Sequence, residues 1–147
     1  MAVDLSDYIT VAQRIVEFRA KHPEGCLQPV NPDEPFKVME VGGKTFIVYA
    51  AAAYRTPDDP RPGVGIAWEP FPGRTPYTRD SEAMNAESSA WGRAIVAALI
   101  ADTTKGIATA EEVRNREEER SAAPQNTPRK PSQRKQEPPA DLPAGLP

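Results

Sequence analysis

The pair Gly42-Gly43 constrains this chain more than any other feature, because it separates two β-rich runs, residues 36–41 and 44–54. A type I′ hairpin turn needs positive φ at both central residues, and glycine meets that need without steric cost. In the second run Phe46, Val48, Ala50, Ala52 and Tyr54 fall on one face, and Ile47, Tyr49, Ala51, Ala53 and Arg55 on the other. Both faces are apolar or small. That pattern predicts a central strand, either covered on both sides or carrying a protein or ligand against its second face. After the turn-rich residues 56–62, residues 63–69 form a third strand with Trp68 near its end, and its glycines predict a bulge or a close backbone approach.

Helices flank this meander. Thr10-Val-Ala-Gln13 has capping-box spacing. Val11, Ile15 and Phe18 then recur on one face, with Ala12 and Val16 beside them and Arg14, Glu17 and Lys21 elsewhere, until His22-Pro23 and Glu24-Gly25 stop the helix. Residues 27–35 contain three prolines and read as an irregular connection. The main helix opens at Asp80 or Ser81, with Met84, Trp91, Ala94, Ile95, Ala98 and Leu99 as its core stripe. Thr109-Ala-Glu-Glu112 is a second capping box, opening a polar helix that runs to about Arg120. From Ser121 onward there are seven prolines in 27 residues and few core-forming side chains, so this segment cannot offset its ordering entropy and is expected to be disordered. The expectation is an α+β domain over residues 1–120: an N-terminal helix, a three-stranded antiparallel meander, a long helix packed on the sheet, and a short polar helix. A proline-rich tail covers 121–147.

Several chemistries are excluded by spacing. Gly43-Lys44-Thr45 imitates the end of a phosphate-binding loop, but Val38 stands where its first glycine belongs and a strand follows where a helix is needed. His22 and Cys26 are the only residues of their types, so neither a zinc site nor a redox pair is available. Asp33, Glu40 and Lys44 have the wrong spacing for a nuclease-like acid-acid-lysine cluster, and Asp58-Asp59 reads as a solvated turn. The chain is expected to be no enzyme and to use no cofactor. A single cysteine, no signal-like N-terminus and no apolar run of about 20 residues point to the cytoplasm, with no membrane segment. Residues 1–113 carry 11 Lys/Arg against 16 Asp/Glu, and residues 114–147 carry 7 against 5. Any nucleic-acid binding must therefore use a local basic groove rather than bulk charge.

Glu87-Ser-Ser-Ala-Trp-Gly-Arg-Ala94 is unusual for a helix interior. Gly92 costs about 1 kcal/mol relative to alanine, and adjacent serines compete for backbone hydrogen bonds. Ser88, Ser89, Gly92 and Arg93 would form a smooth polar strip with one fixed cation, suited to a phosphate backbone. The plainer alternative is that small residues seat the helix tightly on a sheet, with Arg93 snorkelling or pairing with Glu87 or Glu82.

Residues 85–95, Asn85-Ala-Glu-Ser-Ser-Ala-Trp-Gly-Arg-Ala-Ile95, followed by Lys105-Gly-Ile-Ala-Thr-Ala-Glu-Glu-Val113, resemble the helix segment of phage single-strand annealing proteins of the Sak and Erf type. The resemblance covers roughly 30 residues, and the order of elements before it is similar to the annealing fold shared with Rad-type mediators. It implies a phage-encoded protein that binds single-stranded DNA in a groove between sheet and helix. Such proteins form rings and anneal strands in homologous recombination without ATP. Arg93 matches the family's helix cation; Ser88, Ser89 and Gly92 match the small positions around it, and Lys105 adds a phosphate contact. Charge and order alone add Lys44, Arg55, Arg74 and Arg79. Tyr49, Tyr54 and Trp68 are either base-stacking residues or core. The chain is more acidic and shorter than typical members, and residues 100–104 lack the glycine that often follows the family's helix. The competing reading is a non-enzymatic interaction module, such as a small phage protein that targets a host factor. Arg129-Lys130 and Arg134-Lys135 in the tail would add DNA affinity or dock a host or phage recombination protein; the plainer alternative is a solvated, dispensable linker.

Overall fold

The structure, a computed structural model, describes residues 4–6, 8–99 and 107–122. The fold is α+β, in the order α1 (Val11–Lys21), β1 (Cys26–Pro29), β2 (Phe36–Val41), β3 (Lys44–Tyr54), β4 (Gly63–Pro70), α2 (Glu82–Leu99) and α3 (Ala110–Ala122). All strand pairs are antiparallel. Lys105 and residues 123–147 of the tail lie outside the described residues.

The hairpin forms as its sequence requires: Gly42 and Gly43 have φ of 59° and 73°, and β2 pairs with β3 from Val41↔Lys44 to Phe36↔Tyr49. The sheet has four strands, one more than the meander read from sequence. Residues 26–29 pair with the far end of β3, Cys26 opposite Tyr54 and Pro29 opposite Ala51. Ala51 also pairs with Gly65, and Tyr49 pairs with both Phe36 and Ala67. A strand has only two edges, so β1 and β2 share one edge of β3 and β4 occupies the other. The first arm of the hairpin is thus one edge broken by residues 31–35, and Val30 N still donates to Ala50 O at 2.8 Å before the break.

Opposed residues in antiparallel strands share a face. Ile47, Tyr49, Ala51 and Ala53 of β3, with Gly63, Gly65, Ala67 and Glu69 of β4, therefore face α2. Against them α2 sets Ala86, Ala90, Ala94 and Ala98, one every four residues, with Ile95 beside them, all buried. The seam is so close that a Cβ at Gly63 would strike the backbone of Ala94 and Ala98, and one at Gly65 the backbone of Ala90 and Ala94. The glycines of the third predicted strand are there for the close approach. α1 packs beside α2 and sends Phe18 into the same core.

Three side chains depart from the helical patterns. Met84 shares the angular position of the stripe but is 63 % exposed. Periodicity fixes an angle around the axis, and it does not say how far along the axis a neighbour extends. Arg14 is 1 % exposed although it was placed off the apolar face. It lies three residues after Val11 and four before Phe18, which puts it on their side of α1. Val16, expected beside that face, points to solvent. The α1 capping box does form, with Thr10 Oγ1 accepting from Gln13 N at 3.1 Å and Gln13 Oε1 accepting from Thr10 N at 2.9 Å.

The loop between β3 and β4 is clasped by one ion pair. Arg55 Nε and Nη2 donate to the two carboxylate oxygens of Asp59 at 2.8 and 3.1 Å, and the backbone N–H groups of Arg55 and Arg61 also donate to it. The guanidinium and these N–H groups hold the Asp59 carboxyl well below the usual carboxylate range. Asp59→Ala leaves two N–H groups without their acceptor, so limited proteolysis is expected to cut within residues 56–62 faster than in the wild type.

Candidate nucleic-acid interface

α3 is held by polar contacts rather than by an apolar stripe. Its buried residues are Glu112, Asn115 and Glu119. Its own capping box closes as the sequence predicts, with Glu112 Oε2 accepting from Thr109 N at 2.8 Å and Thr109 Oγ1 accepting from Glu112 N at 3.4 Å. Glu119 Oε1 accepts from Thr78 Oγ1 at 2.6 Å and from Arg74 N at 3.0 Å, both in the loop before α2. At the other end Glu111 Oε2 accepts from Val11 N, an unpaired donor of the first turn of α1, at 3.3 Å. Arg116 Nη2 donates to Trp68 O, a backbone acceptor of β4, at 2.7 Å.

These tethers leave a cleft of about 560 Å³ between β4 and α3. Ile66, Ala67 and Trp68 line one side; Val113, Arg116, Glu117 and Arg120 line the other, and Arg93 of α2 joins them. Trp68 is about half exposed and stacks on Phe46, with ring centroids 5.2 Å apart. Arg93 Nε donates to Glu112 Oε1 at 2.8 Å, so the pairing partner is on α3 and is neither Glu82 nor Glu87. Its side chain stays 39 % exposed. Three arginines and an indole therefore border one groove.

Behind the groove lies Glu69, whose side chain is 2 % exposed. Its carboxyl is pushed up to about 7, chiefly by burial; Arg116, with Nη2 at 3.8 Å, works against the rise, and Glu119, Glu112 and Glu82 contribute to it. Glu82 behaves oppositely. Burial works against its charge, but N–H groups of the backbone at Gly73, Glu82 and Asp80 outweigh that and hold it below its ordinary value. Gly73 N donates to Glu82 Oε1 at 2.7 Å. Asp80 has a φ of 65°, so it precedes the helix, and Ser81, whose carbonyl accepts from Asn85 N at 2.9 Å, begins α2.

Of the residues expected to contact DNA, Arg93 is in the cleft and Ser88 is half-buried. Ser89 and Gly92 are buried, so they do not form the open strip read from sequence. A Cβ at Gly92 would lie 3.1 Å from Thr109 Cγ2 and 3.3 Å from Val11 Cγ2, so this glycine seats α1 and the start of α3 on α2. Lys44 is exposed at the hairpin tip, and Arg55, at the other end of β3 and committed to Asp59, is about 35 Å away along an extended strand. Arg74 is 3.8 Å from Glu119, and Arg79 Nε donates to Gly73 O at 3.3 Å. The structure does not bring these four into the cleft. Tyr49 is core and Tyr54 half-buried, which leaves Trp68 as the accessible aromatic of the three. Arg116 and Arg120 were missed. Their four-residue spacing marks one row of the polar helix, but its direction depends on how α3 docks.

Among the described residues no group of His, Cys, Asp and Glu is arranged to hold a metal ion, and no helix is long and apolar enough to cross a membrane. No family model, curated protein or solved structure matches the chain.

Proposed function

We propose that the cleft between β4 and α3 binds single-stranded DNA, and that the chain is a phage-encoded, non-enzymatic annealing protein acting in recombination in the host cytoplasm without nucleotide or cofactor. The observation that carries this reading is the placement of Trp68 and Ile66 across from Arg116 and Arg120, with Arg93 beside them. Binding single strands without sequence preference takes a cationic track for the phosphates and a ring on which bases stack. The resemblance of residues 85–95 and 105–113 to Sak- and Erf-type proteins supports the same reading. Lys105 and the basic pairs of the tail would extend the track.

Fluorescence anisotropy with a fluorescently labelled oligothymidylate tests this at low salt. Arg116→Ala combined with Arg120→Ala should weaken binding about tenfold or more and flatten the salt dependence by about 0.7 per lost phosphate contact. Trp68→Ala should weaken binding at all salt concentrations, since stacking is worth about 1–3 kcal/mol per base. A folded wild-type protein that ignores the oligonucleotide at low salt would remove this function. A second reading, a protein-interaction module, is favoured by one specific observation: the sheet face opposite the helices is apolar and uncovered.

A further inference from the structure

We propose that Glu69 takes up a proton when the cleft binds single-stranded DNA, so that its ion pair with Arg116 regulates the site. The inference rests on the DNA reading above and adds a control to it. Glu69 does not line the cleft, yet its Oε1 is 3.8 Å from Nη2 of Arg116, which does. The same Nη2 donates to Trp68 O at 2.7 Å. That acceptor is uncharged, so the hydrogen bond holds the guanidinium in place in either state of Glu69. Protonation of Glu69 therefore changes how much positive charge Arg116 offers the groove and leaves its position alone. The lining carries Arg93, Arg116 and Arg120 against Glu112 and Glu117, a formal net charge of +1 that an ionised Glu69 cancels.

The surroundings of Glu69 support its charge poorly. Its side chain is 2 % exposed, and Oε2 has no hydrogen-bond partner among the described residues. An ionised carboxylate so placed is costly, and a proton removes the cost. The groups that face it come from several elements. α3 brings Arg116, Glu112 and Glu119, and α2 brings Glu82. The loop before α2 brings Arg74, 3.8 Å from Glu119, and Arg79, which acts on Glu82; β3 places Ile47 opposite. Burial is the largest cause that raises the Glu69 carboxyl to about 7, the three carboxylates add to it, and Arg116 opposes them. A phosphate paired with Arg116 draws on the cation that favours ionised Glu69 and brings another negative charge near it. Both effects favour the proton. By reciprocity the proton favours the phosphate by the same factor.

Anisotropy of the labelled oligothymidylate with the full chain, at pH 6 and pH 8.5 and one low ionic strength, tests the proposal. The wild type should bind about fivefold more tightly at pH 6, the lower end of typical coupling between sites, because Arg116 is 39 % exposed to screening water. Glu69→Gln, which keeps the side chain neutral, should bind at both pH values as the wild type does at pH 6. Arg116→Gln should bind more weakly and lose most of the slope, which gives a second readout if Glu69→Gln does not fold. Calorimetry of binding at pH 7.5 in two buffers of different ionisation heat should show net proton uptake in the wild type and none in Glu69→Gln. Absence of binding at either pH removes the DNA reading itself. Binding of equal strength at both pH values, or a slope that Glu69→Gln retains, overturns the proton linkage alone.

Discussion

Gly65→Val is expected to leave the chain without a cooperative unfolding transition. The added side chain has no room to turn away. A Cβ at this position would overlap backbone atoms of Ala90 and Ala94 and would lie 2.7 Å from Arg93 Cβ, and helix backbone cannot rotate aside as a side-chain tip can. Inserting atoms into a packed core usually costs about 1–3 kcal/mol, and more where nothing can yield. With two helix-backbone clashes that cannot relax, the cost exceeds that range and reaches about 5–15 kcal/mol, the whole stability of a typical domain. Gly65→Ala and Gly63→Ala should each shift the urea midpoint strongly downward, by the equivalent of about 3 kcal/mol. A wild-type midpoint for either would mean that α2 is not seated on β4. Displacing α2 also displaces Arg93, so oligonucleotide binding should fall with stability in both alanine variants.

The second large effect is on pH dependence, and it centres on Glu69. A carboxyl raised from 4.5 to about 7 in the folded state binds its proton more tightly there than in the unfolded chain. Between those two values the native state holds more protons, so stability falls as pH rises through the interval and is level above it. A difference of this size corresponds to about 3 kcal/mol. Asp59 and Glu82, both lowered, act in the opposite sense: their contribution is present above the ordinary carboxylate range and is lost as pH falls below it. Stability should therefore peak on the acid side of neutrality. Urea denaturation from pH 4 to pH 8 would trace the curve. Glu69→Gln keeps the size of the side chain and removes the ionisation, so its stability should be level from pH 5 to pH 8 and exceed wild type at pH 8. A wild-type slope in this variant would place the titration on another group.

The fold was legible wherever its cause was local. Gly42-Gly43 announced the hairpin because the turn needs two positive φ angles, and both capping boxes were readable because donor and acceptor lie three residues apart. Gly63 and Gly65 signalled a close approach, since a strand interior gives up packing for each glycine. The break in the hairpin's first arm was not legible. Residues 26–29 have only Cys26 and Leu27 as apolar side chains and end in proline, so their strand character comes from pairing with residues 51–54, far along the chain. The candidate site was legible only in part. Arg93 was found, but Ser89 and Gly92 were read as surface because the helix contacts of α1 and α3 on that side come from distant segments. Arg116 and Arg120 escaped notice for the same reason. A helix whose buried face is Glu112, Asn115 and Glu119 has no hydrophobic stripe to say which way it turns, and polar contacts with distant segments, at Thr78, Arg74, Arg93, Trp68 and Val11, orient it.

The broken first arm of the hairpin also governs how copies of this chain can associate. An unbroken outer strand would offer a row of free N–H and C=O groups to any neighbouring chain, the usual start of runaway sheet extension. Here that row is short on both sides of the interruption: Pro29 lacks an N–H, residues 31–35 include Pro32 and Pro35, Lys37 places charge just after the interruption, and Lys44 places another at the hairpin turn. Strand-by-strand polymerisation is thus blocked along this border, so a chain with so much uncovered apolar sheet is kept from extending edge to edge into a fibre.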